Sequence, residues 1–427
     1  MSPGSVADWL DYQQRLHPQG IALGLERVSQ VWQRLAAERP PLPRVISVAG
    51  TNGKGSCVHA LAALAAAAGK RCGRYTSPHL YRYNERIVVD GQPIDDAALC
   101  AAFAAVEQAR GDIALTFFEF GTLAALWHFA GAGLDLVLLE VGLGGRLDAT
   151  NIIDADVAVL LAIGRDHEAW LGSELAGIAA EKAGITRAGR PAIVGDAGGA
   201  ALYAPALARR GVQATVCGQD YQLQVGGAGP GRLAVAMQGP HCDAGLRWEQ
   251  SDTLLPANLA AAVQAWQMLD WGPAPTAALA QLAVPGRCER RRIAEGELIL
   301  DVAHNGPAAQ RLADWLAAQP PAEQALVIGV LADKSAADIV APLAAQMARI
   351  EACDLPPPRG AAAKTLLAAV PVHCQPPGAA AAGPVLRAHA GPAAALAAAR
   401  EWAATVAGPA RIIICGSFQT LSGADLD

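Results

Sequence analysis

Short apolar runs rich in β-branched residues alternate along this chain with longer alanine- and leucine-rich stretches, the succession expected of strand followed by helix. Residues 45–48, 136–140, 157–162, 298–302, 325–330 and 411–415 read as buried strands. Helices are predicted between several of them, over 56–68 and 118–130. Such alternation predicts an α/β fold with parallel-rich sheets, and no internal repeat is visible. A chain of 427 residues is too long for one ordinary core, so two domains are expected. The connector is the turn-rich stretch with Gly272-Pro273-Ala274-Pro275 and Pro285-Gly286, which puts a first domain over 1–285 and a second over 286–427. The proline- and alanine-rich residues 356–360 through 376–378 read as loop and surface helix without a binding role.

Composition narrows the classes. Hydrophobic residues make up 52% of the chain, much of it alanine. No run reaches the ~18 to 20 apolar residues of a membrane span. The start, Met1 to Trp9, lacks the basic region and apolar core of a signal peptide, so a cytoplasmic location is expected. Nine cysteines without a C-x-x-C pair argue against a zinc site or a disulfide framework and read as free thiols. A net charge of -6 offers no general attraction to nucleic acid or acidic membranes. Arg287, Arg290, Arg291 and Arg292 form a local basic cluster that a solvated face or an anionic cofactor explains as well as nucleic acid does.

After the first apolar run, residues 49–55 are mostly small, and an alanine-rich helix is predicted to begin at Ser56. Strand, glycine loop and helix start make a phosphate cradle. Gly50, Gly53 and Gly55 allow backbone N–H groups to turn toward an anion, Lys54 adds charge for the outer phosphates, and the helix dipole adds to it. The order G-x-x-G-K-G-S differs from the common G-x-x-x-x-G-K-[ST], since Gly55 separates Lys54 from Ser56. The plain alternative is a glycine-rich turn with an exposed lysine.

Glu140 ends an apolar strand, where open α/β sheets place ligands, and is a candidate magnesium ligand. His167, in Gly164-Arg165-Asp166-His167, leaves the following strand at the same edge; because magnesium prefers oxygen, it reads on its own as a polar loop residue. Lys182, before Ala183-Gly184, reads on its own as a helix-surface lysine near a glycine C-cap. Asp301, with His304 and Asn305 behind it, ends a strand of the second domain, either as a site or as a turn with an Asx cap.

Taken in order, Leu23-Gly24-Leu25-Glu26-Arg27-Val28, residues 50–56, Tyr75-Thr76-Ser77-Pro78-His79-Leu80, Thr116-Phe117-Phe118-Glu119, residues 140–151, residues 301–305 and Gly416-Ser417-Phe418 resemble the folylpolyglutamate synthase/dihydrofolate synthase family, within the Mur-ligase-like ATP-dependent amide ligases. The resemblance spans nearly the whole chain. It implies a P-loop NTPase-like N-terminal domain with a parallel-rich sheet and a smaller Rossmann-like C-terminal α/β domain. It further implies that Thr51, Asn52, Gly53, Lys54, Gly55 and Ser56 bind ATP phosphates, with Asn258, Arg287 and Asp301 on the nucleotide so that ATP bridges the domains. Ser77, Glu140 and His167 would hold magnesium, in two sites, and Lys182 corresponds to the lysine that the family carbamylates. A carbamate, unlike an ammonium, coordinates a cation. His304 lies near the same site, which makes Lys54, Lys182 and His304 the catalytic candidates. Leu23, Gly24, Leu25, Thr116, Phe117, Phe118, Glu119, Leu147, Asp148 and Ala149 would take the pterin. Two departures, Gly306 between Asn305 and Pro307 and Gly164-Arg165 before Asp166-His167, remove no functional group.

The activity so implied is ATP-dependent addition of L-glutamate to dihydropteroate and to folates such as tetrahydrofolate through an acyl phosphate, by a monomer that engages neither nucleic acid nor membrane. Two other readings stay open from the residues: a Mur-type ligase joining another acid and amine, and a non-catalytic ATP-binding module.

Overall fold

The computed structural model describes residues 3–17, 20–239, 245–371 and 384–426. The chain divides into two compact units, Met1–Leu282 and Ala283–Asp427.

In the first unit, strands β1 (Arg44–Ala49), β2 (Cys72–Tyr75), β3 (Ile87–Val89), β4 (Gln92–Pro93), β5 (Leu136–Glu140), β6 (Val157–Leu160), β7 (Ala192–Val194) and β8 (Ala214–Val216) form one sheet in the order β4-β3-β2-β5-β1-β6-β7-β8. The six strands from β2 to β8 in that order run parallel, and β3 and β4 add an antiparallel edge. Buried on both faces, β1 and β5 are near-continuous apolar runs, as central parallel strands must be. The adjacent carboxyl ends of β5, β1 and β6 make the edge where the sheet presents its loops. The helix after β1 spans Lys54–Ala67 rather than starting at Ser56, because Gly53, at φ 90, is its left-handed N-cap and the chain is helical from the next residue on. A main core packs Trp9, Val28, Val31, Phe103, Phe120, Leu123 and Leu126 against Tyr75, Val137 and Leu139.

A three-stranded antiparallel sheet follows, β9 (Gln222–Gly229), β10 (Arg232–Gln238) and β11 (Leu246–Ser251). No apolar run marks it in the sequence, since β9 is exposed along nearly its whole length and only alternate residues of β10 and β11, such as Val235, Met237 and Trp248, are buried.

In the second unit, β12 (Glu289–Ile293), β13 (Gly296–Leu300), β14 (Glu323–Ile328), β15 (Arg349–Cys353), β16 (Val385–His389) and β17 (Ala410–Cys415) form a sheet ordered β12-β13-β17-β14-β15-β16, parallel except for the β12–β13 hairpin. The strand expected over 298–302 stops at Leu300, which leaves Asp301 as the first residue past its carboxyl end. The basic cluster lies at the hairpin, where Arg290 pairs with Glu297 and Arg291 with Glu289, so two of its charges are matched within the fold. Residues 363–368 of the proline-rich region form a short helix, and Pro376-Pro377-Gly378 lies outside the described residues. Cys57, Cys72, Cys217, Cys288, Cys353 and Cys415 are free and buried, and Cys100 is free and half-buried. Among the described residues no helix is long and apolar enough to cross a membrane.

Candidate active site

The phosphate loop is held to its neighbours by its own small residues. Thr51 N–H donates to the Ala162 carbonyl at 2.7 Å, and its hydroxyl bonds Gly164, to the carbonyl and the N–H, at 3.0 Å each. The loop leaving β1 is thereby tied to the loop that leaves β6 toward His167. A Cβ on Gly50 would come 2.8 Å from the Leu161 Cβ, and one on Gly53 2.5 Å from the Asn258 Oδ1. Asn258, 7% exposed and on the helix Pro256–Gln267, thus lies directly against the loop because Gly53 has no side chain. Lys54 Nζ donates to the Gly50 carbonyl at 2.9 Å and the Thr51 carbonyl at 3.2 Å, which keeps its charge at the cradle. Ser56 is buried in the first turn behind it.

Glu140 is buried at the end of β5 and accepts the Ser77 N–H at 3.1 Å. This brings together Glu140 and Ser77, two of the predicted metal residues. A Cβ on Gly55 would be 3.9 Å from either Glu140 oxygen, so the carboxylate lies beside the start of the phosphate-loop helix. Its charge helps burial to push the Cys57 thiol up. His167 is less committed: it is half-buried at φ 51, caps the four-residue helix Glu168–Leu171, and its Nε2 lies 4.0 Å from an Asp166 oxygen.

Lys182 corrects the surface reading. The residue is 4% exposed on the helix Leu175–Ala183. The glycine loop after Glu140 packs flush on that helix: a Cβ on Gly145 would come 2.8 Å from the Glu181 carbonyl oxygen and 3.1 Å from the Lys182 Cα. Burial, then the nearby Lys54 charge, lower the Lys182 amine to about 7, against the opposing fields of Asp166 and Asp148. The site holds an amine that is substantially neutral near neutral pH, the form that reacts with carbon dioxide to give a carbamate.

The pterin candidates also converge. Thr116 and Glu119 form a buried capping box at the start of the helix Phe117–Ala130. Glu119 accepts Arg27 Nε at 2.9 Å, and its other oxygen lies 2.8 Å from Arg27 Nη2. Arg27 also donates to the Ala22 carbonyl, tying the Leu23-Gly24-Leu25 segment to this helix start. Phe118 stacks at 5.9 Å from Tyr75, and its ring lies where a Cβ on Gly142 would be, 2.5 Å away. Asp148 is buried; one oxygen accepts the Gly142 and Leu143 N–H groups, and the other accepts the Thr150 N–H and hydroxyl. It holds the glycine loop in place, with Leu147 half-buried before it and Ala149 buried after it. Arg27 is a residue that sequence reasoning left without a role. Its signal was a cation inside a recognised motif together with an acidic residue, Glu119, in need of a partner.

In the second unit, Asp301 is buried and its carboxylate is used locally. One oxygen accepts the Cys288 N–H at 2.8 Å and its thiol at 3.3 Å, and the other accepts the Ala303 N–H at 2.8 Å. The Val302 N–H donates to the Gly286 carbonyl at 3.0 Å. These bonds hold on both sides the turn that carries Arg287, whose guanidinium lies 5.9 Å from the Phe418 ring centroid. His304 Nδ1 lies 2.8 Å from the Val302 carbonyl, which can only accept, so Nδ1 bears the proton. Asn305 caps the helix Gly306–Ala317, the Asx cap left open above.

Among the described residues no three His, Cys, Asp or Glu side chains converge as a metal site. A divalent cation here would need the hydroxyl and carboxylate oxygens of Ser77 and Glu140, supplemented by substrate phosphate and a carbamate. That donor set suits a hard cation such as magnesium, which retains waters and takes few protein ligands. The residues present fit the group.

Comparison with known proteins gives the family. Residues 286–418 match the Mur ligase, glutamate ligase domain family. The dihydrofolate synthase/folylpolyglutamate synthase of Escherichia coli K12 is 43% identical over 375 residues, 85% of this chain and 85% of that protein. Escherichia coli FolC in complex with DHPP and ADP superposes with a TM-score of 0.88 at 38% identity, covering 99% of this chain and 97% of that one. A bifunctional folylpolyglutamate synthase/dihydrofolate synthase with Mn, AMPPNP and L-glutamate bound superposes at 0.85 and 36% identity, covering 99% and 97%. With this identity along most of its length, the chain belongs to the dihydrofolate synthase/folylpolyglutamate synthase family of ATP-dependent ligases.

Proposed function

We propose that this chain joins L-glutamate to the carboxylate of dihydropteroate and also to folates such as tetrahydrofolate, both at the site described in its first unit. The observation that carries the reading is the buried Lys182, in the field of Lys54 and packed under the glycine loop that follows Glu140. A lysine depressed by burial beside a phosphate cradle is an amine ready for carbamylation, and an ordinary nucleotide-binding module has no need of one.

The substrate carboxylate attacks the γ-phosphorus of ATP and ADP leaves, giving an acyl phosphate. The glutamate amine then attacks the acyl carbon, a tetrahedral intermediate forms, and phosphate leaves as the amide is made. Thr51, Asn52, Gly53, Lys54, Gly55 and Ser56 cradle the phosphates through loop N–H groups and the Lys54 charge, and Asn258 closes one side of the loop. Ser77, Glu140, His167 and a carbamate on Lys182 would hold magnesium, whose chemistry is neutralisation of phosphate charge. Leu23 to Leu25, Thr116 to Glu119 and Leu147 to Ala149 shape the ring site, with Arg27 fixing Glu119. Arg287 and Asp301 are assigned to the nucleotide and His304 to the reacting end on family resemblance, with Asp301 acting through the turn it braces. Positioning and charge neutralisation carry most of the rate. A monomeric state and a cytoplasmic location complete the reading.

The test is purified protein with ATP, magnesium and labelled glutamate, run in parallel on dihydropteroate and tetrahydrofolate. Both acids should become labelled, and ADP release beyond one equivalent per enzyme should require acid and glutamate together. ADP release without an acid, or labelling only of an unrelated acid, overturns the reading.

A further inference from the structure

The turn Tyr83–Arg86 follows the Ser77-Pro78-His79 loop, and its last residue is a buried cation, 8% exposed. Arg86 Nε donates to the His79 Nδ1 at 2.9 Å. Its guanidinium carbon lies 5.1 Å from the Tyr83 ring centroid and 5.7 Å from that of Phe117, and the Tyr75 hydroxyl is in its field. A nitrogen that accepts carries no proton, so every one of these partners is neutral. No ion pair among the described residues includes Arg86. Two other buried charges have an ion-pair partner: Glu119 has Arg27, and Glu351, fully buried in the second unit, has Arg349 and His389. A buried guanidinium without a counter-charge is strongly unfavourable, which calls for a function at this position.

Its placement says which. The Arg86 carbonyl accepts the Thr76 N–H at 3.0 Å while its side chain bonds His79, so it grips both flanks of the loop whose Ser77 N–H reaches Glu140. On the other side it stacks on Phe117, the first residue of the helix that carries Phe118 and Glu119. Arg86 therefore stands between the candidate ring site and the candidate metal loop. The acid substrate has its parts in the same order, a flat heterocycle at one end and, at the other, a carboxylate that must meet the γ-phosphate. We propose that Arg86 is the receptor for the carboxylate of a flat heteroaromatic acid, the two groups supplying each other's missing counter-charge. This rests on the substrate reading above.

The experiment is calorimetric titration of dihydropteroate, its carboxamide and tetrahydrofolate into the wild-type chain, Arg86→Gln and Arg86→Lys. Wild type should bind dihydropteroate more tightly than the carboxamide. Arg86→Gln should weaken the acid about 10- to 100-fold, the worth of a charge-assisted hydrogen bond, and leave the carboxamide within about two-fold, while Arg86→Lys restores part of the loss. A loss confined to dihydropteroate puts the receptor at its aryl carboxylate; a loss shared by tetrahydrofolate extends it to the glutamyl carboxylate. Ligand-free Arg86→Gln should melt no lower than wild type, because an unmatched buried charge has been removed. Equal weakening of acid and carboxamide, unchanged binding of the acid, or a lower-melting or unfolded Arg86→Gln protein overturns the proposal in favour of a structural clamp. Wild type that binds neither pterin compound overturns the substrate reading itself, and this proposal with it.

Discussion

At the carboxyl edge of the eight-stranded sheet, Lys54 and Lys182 lie in each other's field and Arg86 is buried among neutral groups. At the carboxyl edge of the six-stranded sheet, Asp301 has hydrogen-bond donors on both oxygens and Asn305 caps a helix. The first unit crowds cations toward its site, with Asp166 and Asp148 opposing only part of the effect on Lys182, and the second uses its polar groups to set a turn. Unbalanced charge destabilises the empty protein and is relieved by an anionic ligand, whereas a braced turn stabilises the protein whether or not a ligand is bound. Substitutions in the first unit should accordingly affect chemistry more than folding, and those in the second should affect both.

The largest effect is expected at Lys54. Lys54→Ala should lower turnover on either acid by roughly 10²- to 10³-fold, the scale of removing one preorganised stabilising group, with an unchanged thermal melt. Phosphate-release kinetics beside circular dichroism check this, and near-normal turnover would remove Lys54 from the cradle.

Lys182 sharpens the contrast through pH. Its amine is lowered from 10.5 to about 7 in the folded protein, so across that window the unfolded chain binds the extra proton and native stability rises with pH; below about 7 the penalty is fully present. In buffer free of carbon dioxide, Lys182→Met should therefore melt above wild type at about pH 6, with the gap shrinking toward about pH 10. A pH-independent gap breaks the assignment. With carbon-13-labelled bicarbonate, a carbamate resonance should be present above the amine's pKa, fade below it, and be absent in Lys182→Ala, whose turnover a small added carboxylate should partly restore.

A smaller, mixed effect is expected in the second unit. Asp301→Ala leaves the Cys288 and Ala303 N–H groups without their acceptor, at about 1–3 kcal/mol, and loosens the turn that carries Arg287. The melting temperature should fall and the KM for ATP should rise together; a change in KM alone would mean that Asp301 acts on the nucleotide directly. The smallest effect belongs to Asn305→Ala, which removes a helix cap worth about 1 kcal/mol by denaturant titration.

Much of the fold was legible in the sequence because strand and helix periodicity is local: Leu136–Glu140 was read with its bounds, and β1, β14 and β17 to within a residue or two. The glycine loop between β1 and its helix was legible for the same reason, since glycines, lysine and helix start are contiguous, although the helix began two residues earlier than its apolar pattern suggested because Gly53 sets the cap. The β9–β11 sheet was not, since exposed strands carry little apolar signal.

The sequence alone determined the element order, the chemical groups available and the family that their order resembles. Tertiary structure decided what those groups do. Lys182 is buried because a glycine loop more than thirty residues earlier packs on its helix, and Arg27 meets Glu119 across a separation of 92 residues. Asp148 and Asp301 hold loops because backbone N–H groups fold back onto them, and Arg86 is unmatched because no carboxylate of the described fold reaches it. Burial and charge balance depend on neighbours in space, and one-dimensional pattern carries no information about those.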